Sequence, residues 1–155
     1  MKLTKAFPLL FIFIANFAYA VSDDGFPSVD AAATAFLQPL MKGVSGVSTS
    51  IKSLPGEKDT KNALIKEAKK TMPENPLQAM LVETMRTNGK LMDYSKTGQN
   101  VILGGKVVKM FYTLHFLNGP KKDLLLRVMQ PTMSGGYHIV DAQISNPVNL
   151  ENPNK

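Results

Sequence analysis

The chain has 155 residues, 44% of them hydrophobic, no cysteine and a formal charge of +6. The apolar share excludes wholesale disorder, and the missing thiols exclude disulfides and a lipoprotein-type attachment.

Lys2 and Lys5 precede an apolar run from Phe7 to Phe17, which is followed by Ala18-Tyr19-Ala20. A short basic region, an apolar core too short to span a bilayer comfortably and small residues at the −3 and −1 positions are what a signal peptidase reads. Residues 1 to 20 are therefore expected to be an export signal cleaved near Ala20, leaving the protein in the periplasm or outside the cell. The remaining ~135 residues suit one domain with one core, residues 21–146. Removing Lys2 and Lys5 takes the 18 basic residues to 16 against 12 acidic ones, a net +4.

Apolar residues Val29, Ala33, Phe36, Leu40, Val44, Val47, Ile51 and Leu54 recur at steps of three and four. This spacing predicts one long amphipathic helix, or two in line, capped by Ser28, kinked at Pro39 and weakened by Gly43 and Gly46. A second helix is expected over 59–71, with Leu64, Ile65, Ala68 and Met72 inward. Lys58, Lys61, Lys66, Lys69 and Lys70 crowd this stretch, and such a run draws anionic partners such as lipid headgroups. With no arginine or aromatic interleaved, it reads as a solvated helix face, so nucleic acid is not expected as a partner. Membrane contact is likewise not expected once the signal is removed; attachment to anionic envelope lipid through this helix is a third-ranked reading. A third helix is marked in NPLQAMLVETMRTNG by Asn75 as cap, Pro76 at the first helical position and Asn88-Gly89 as exit. Its buried side should hold Leu77, Met80, Leu81, Thr84 and Met85.

After Gly89 the period shortens to two. Strands are expected at 91–96, 106–116, 123–130 and 137–145, separated by Thr97-Gly98 with VILGG, by Asn118-Gly119-Pro120 and by Ser134-Gly135-Gly136. Gly104-Gly105 reads as a bend or bulge. Residues 147–155 read as a frayed tail. Helices first and strands last predict an α+β domain, helices packed on a curved antiparallel sheet of about four strands.

Alternation sorts the strand side chains. One face collects Val108, Met110, Tyr112, Leu114, Phe116, Leu124, Leu126, Val128, Val140, Ala142 and Ile144, with His138 at its edge; this should be the core beneath the helices. The other collects Lys109, Thr113, His115, Asp123, Arg127, Asp141 and Gln143, mixed with Phe111, Leu117, Leu125, Met129, Tyr137 and Ile139. His138 and Asp141 lie three apart, hence on opposite faces unless a bulge intervenes. His115 and Asp141 share a face, but a mixed-charge surface accounts for both. Nine methionines, two histidines and no ligand-spaced cluster give no metal site, and no cofactor fingerprint is present.

The run LGGKVVKMFYTLHFLNGPKKDLLLRVMQP, followed by SGGYHIVDAQI, resembles the cystatin-like α+β roll of the nuclear transport factor 2-like superfamily, in particular small exported bacterial members of unassigned function. The shared pattern is a Gly-led alternating strand, a Gly-Pro turn, a returning strand ending near Pro131 and an aromatic-x-Ile strand, with Tyr137 where Trp is commoner. The resemblance covers about residues 90–146 and implies a long kinked helix and shorter ones in the hollow of a bent sheet, often around a cavity whose Asp or His moves protons in enzymes. The expected inner face offers Tyr112 and His138 without a carboxylate. The leading expectation is therefore an exported, non-enzymatic binding or assembly module. It would take a small apolar ligand at Tyr112, Leu114, Leu126, His138 and Val140, or a protein partner at Phe111, Leu125, Met129, Tyr137 and Ile139, where a homodimer is possible. The alternative is a small isomerase- or hydratase-like enzyme using His138 and Tyr112 as weak catalytic candidates.

Overall fold

The computed structural model describes residues 25–56, 61–71 and 74–147. The expected signal and cleavage point, the start of the second helix at Asp59, Met72, and most of the expected tail lie outside the described residues.

Helix α1, Val29–Leu37, begins where Ser28 places it: the Ser28 Oγ accepts the Ala31 amide at 3.0 Å, and Asp30 sits in the first turn. Such a cap satisfies one of the amides a helix start leaves open and is worth about 1 kcal/mol. Pro39 then falls in a 3₁₀ turn, Gln38–Lys42, and α2, Val44–Ile51, follows Gly43.

The helical stretch from 29 to 54 does not run on in line. The Ser50 hydroxyl donates to the Phe36 carbonyl at 2.6 Å, whereas fourteen residues of straight helix would hold these positions about 21 Å apart. A Cβ at Gly46 would lie 1.7 Å from the Pro39 carbonyl oxygen, so α2 packs back on the turn through a spot that only glycine leaves open. The apolar period survives in both segments; the reversal turns one long stripe into two walls of the same core.

Helix α3 spans Ala63–Thr71 and α4 spans Glu74–Asn88. Leu77, Leu81 and Met85 of α4 are buried, Met80 packs at the edge of the core, and Gly89 exits at φ +75°. Of the expected inward residues of α3 that are described, only Ile65 is buried, and Leu64 is half exposed.

The strands are β1 Leu91–Ile102, β2 Val107–Phe116, β3 Lys122–Met129 and β4 His138–Ser145, antiparallel in the order β1-β2-β3-β4. β1 is longer than its sequence suggests. It absorbs residues 97–102 through a register shift between Lys96 and Gly98, and Gly104-Gly105 close its hairpin with β2. The core cluster joins Phe36, Leu37 and Leu40, then Leu81 of α4, to Met110, Leu114, Leu124, Leu126 and Val128 of the sheet. The described residues thus form an α+β assembly of four helices on an open four-stranded antiparallel sheet. No helix among the described residues is long and apolar enough to cross a membrane.

The first half of β4 departs from simple alternation. Arg127 pairs with Asp141 but Val128 pairs with Ile139, so Val140 is an extra residue, a β-bulge. Ile139 therefore joins the core beneath the helices, fully buried, and His138 stands opposite Met129 on the other face. Val140 is buried too, yet outside the main core, as are Ile65 and Val107; they mark a smaller buried region where α3 packs on β4 across the sheet's second face.

Candidate functional site

The residues expected to line a ligand pocket do not converge. Leu114 and Leu126 are wholly buried and Tyr112 nearly so, all three packed within the core. His138 and Val140 belong to the other side of β4 because of the bulge. The Tyr112 hydroxyl lies 3.9 Å from the Met110 sulfur, and its ring meets Tyr94 edge-on at 6.0 Å between centroids. Burial above all, with the charge of Asp30 and then Tyr94 adding, keeps this phenol protonated well above the usual tyrosine range. Tyr112 and His138 thus face opposite sides of the sheet, with no common space for one substrate.

His138 is buried under the N-terminal segment rather than at a pocket mouth. A Cβ at Gly25 would lie 2.7 Å from the imidazole Nε2, and next to it Phe26 and Tyr137 exchange backbone hydrogen bonds of 2.9 and 2.8 Å. This bridge also removes Tyr137 from the expected exposed patch, since its ring packs against the core. The bulge brings His138 and Asp141 to one face, which plain alternation forbids. Asp141 is engaged elsewhere, however: its Oδ2 accepts from Gln143 Nε2 at 2.8 Å and lies 3.5 Å from Arg127 Nη2. The pairing of His115 with Asp141 is ruled out by register. His115 stands opposite Asp93, while Asp141 shares the row of Lys109 and Arg127. Six residues along a strand is about 20 Å.

What the register does build is a ruled surface on the face away from the main core. Its central row is Phe111–Leu125–Gln143. The row on one side is Lys109–Arg127–Asp141, and the row on the other is Thr113–Asp123–Ser145. Phe111 is 38% exposed and Leu125 half-buried. A hollow of about 410 Å³ opens here, lined among others by Thr97, Phe111, Asp123, Leu125, Gln143 and Ser145. Ile139, expected in this patch, is in the core, and Met129 stands at the end that α3 partly covers.

The charges on the two flanking rows are incompletely matched. Among the described residues neither Lys109 nor Asp123 has an ion-pair partner. Among the described residues Arg127 has only the 3.5 Å approach to Asp141, and its Nε is buried without an acceptor. An orphaned buried donor of this kind costs about 1–3 kcal/mol.

A second hollow, about 400 Å³, is bordered by Leu64 of α3, Leu103 of the β1–β2 turn, Lys106, Val107, Met129 and Gln130. Leu103 is 72% exposed and held at φ +53°, an unusual conformation for a side chain of its size. Among the described residues no group of three histidine, aspartate or glutamate side chains is placed to hold a metal ion.

Sequence reasoning identified Phe111, Leu125, Lys109, Asp123 and Arg127 as one face, but not their order in rows. The bulge had one local signal, the consecutive apolar pair Ile139-Val140, which breaks the polar-apolar alternation of β4. Comparison with protein-family models, curated proteins and solved structures finds no match to this chain.

Proposed function

We propose that this chain is an exported, non-enzymatic binding and assembly module that engages a protein partner through the open rows of its sheet, with residues 1–20 as the cleaved export signal. One observation carries the reading: a partly exposed apolar row, Phe111–Leu125, runs between a cationic row and an acidic one that lack full partners among the described residues. An apolar centre with a polar, charged rim is the anatomy of a protein interface. A likeness to the cystatin-like roll of small exported proteins fits the same reading, since most such domains assemble or bind rather than catalyse.

The test is site-directed photo-crosslinking in the cells that make the protein. A benzophenone side chain at position 111 should give a protein adduct, and one at Lys52, exposed just beyond α2, should not. Absence of an adduct from 111 under conditions where the chain is folded and exported defeats the reading.

The hollow beside Leu64 and Leu103 favours a second reading, in which a small apolar ligand lies under α3. Its volume is within the range of ligand sites, about 300–1,000 Å³. Leu64→Asp with Leu103→Asp, both at exposed positions, should then abolish enhancement of an apolar fluorescent probe while Phe111→Asp leaves it intact.

A further inference from the structure

Resting on the protein-binding reading of the open face, we infer that the partner is a second copy of this chain, docked face to face about a two-fold axis that runs along the Phe111–Leu125 row.

The argument is one of self-complementarity. A two-fold axis lying between two facing sheets, and directed across the strands, sets each strand opposite its own copy and reverses the order of the rows. With the axis on the central row, Phe111 and Leu125 meet their own copies. The row on one side meets the row on the other. Arg127 of one protomer then stands over Asp123 of its partner, and Lys109 faces Thr113 with Asp123 diagonal to it. Both contacts occur twice, as an isologous interface demands.

Within one protomer these charges cannot meet. Asp123 and Arg127 are four residues apart on β3, about 13 Å along the strand, far beyond ion-pair distance. A partner of unrelated sequence would need its own matching rows. A second copy supplies them by symmetry, with sheet faces packing about 10 Å apart as in a sandwich. The hollow beside Phe111 gives room for the opposing ring. The Asp123 carboxylate, unpaired in its own chain among the described residues, gains a guanidinium.

The experiment is sedimentation equilibrium of the mature chain from micromolar to millimolar concentration, with circular dichroism and thermal melting to establish that each variant is folded. The wild type should approach twice the chain mass. Phe111→Asp and Asp123→Arg should each be monomeric with little change in melting, because both side chains are partly exposed. Arg127→Glu should also be monomeric alone. Mixing it with Asp123→Arg should restore a dimer of one chain of each kind, since all four facing positions then carry opposite charges. Should Arg127→Glu fail to fold beside Asp141, the double variant Arg127→Glu with Asp141→Asn takes its place, since it removes the like charge on the same row and keeps the same charges at the facing positions.

A wild type that stays monomeric throughout overturns the proposal. So does a dimer indifferent to Phe111→Asp, or two charge variants that fail to associate when mixed. A strict monomer whose position 111 still crosslinks to a protein of another mass leaves the binding-module reading standing and removes only the second copy.

Discussion

Three consecutive leucines, Leu124, Leu125 and Leu126, are chemically the same residue on one strand, yet they belong to two different surfaces. Leu124 and Leu126 are sealed beneath the helices, at 1% and 0% exposure, while Leu125 lies half-buried between charged neighbours on the other side of the sheet. The same contrast runs through β2, where Met110 and Leu114 are buried and Phe111 is exposed. What separates the faces is the cover over them, not the hydrophobicity of the strand. α1, α2 and α4 contribute to the core on one side; among the described residues the other side is approached by α3, at the Val107–Val140 end, and by the segment at Gly25 over His138. An apolar residue on the covered side stabilises the fold; one on the open side is available to another molecule.

The sharpest way to break this comparison is at neighbouring positions. Leu126→Ala should cost about 3 kcal/mol, since the closed core cannot fully collapse around the lost atoms. Leu125→Ala should cost under about 1 kcal/mol. Urea unfolding of the two variants, made under conditions where the chain is monomeric, measures the difference directly; equal costs would mean that the faces are not distinct.

The covered side depends on the reversal between α1 and α2. Ser50→Ala removes the donor to the Phe36 carbonyl and leaves that buried acceptor unsatisfied, a loss of about 1–3 kcal/mol. Ser50→Thr, which keeps the hydroxyl, should recover part of it. Ser28→Ala should cost less, about 1 kcal/mol, because water can reach the helix start in place of the lost cap. Both are read from denaturant midpoints at constant slope.

The smallest expected effect sharpens the account of the buried phenol. In the unfolded chain Tyr112 ionises near the ordinary value of about 10, whereas in the folded chain burial and Asp30 raise it. Above that pH the unfolded state binds fewer protons than the native state, so the stability present in full below about pH 10 declines as pH rises toward the folded value. Tyr112→Phe should lose less stability than wild type between about pH 9 and pH 11. Parallel alkaline losses in the two proteins would show that the phenol is not the group responsible.

Much of the architecture could be read from the amino acids. The Ser28 cap, the α4 stripe of Leu77, Leu81 and Met85, the exit at Gly89 and the antiparallel order of the strands all follow from local period and turn chemistry. Where local pattern and tertiary structure differ, the deciding contact is distant. Gly46 and Pro39 are near in sequence, but their carbonyl-to-Cα approach exists only once α2 has folded back. The bulge at Val140 depends on how β4 meets β3, and the burial of His138 depends on the strand-like bridge from Phe26 at the other end of the chain. Of the candidate site, Phe111 and Leu125 were legible as outward apolar residues; their alignment with Gln143, between cationic and acidic rows, required the register of three strands.

The amino-acid sequence alone determined the fold class, most element positions and the side-chain sets that each strand presents, because periodicity and backbone stereochemistry act over a few residues. Tertiary structure decided which apolar residues stay open, where the helical stripe reverses and why Tyr112 and His138 never share a cavity. Those outcomes rest on pairing register and on which surface a helix covers, and both are set by contacts between segments tens of residues apart.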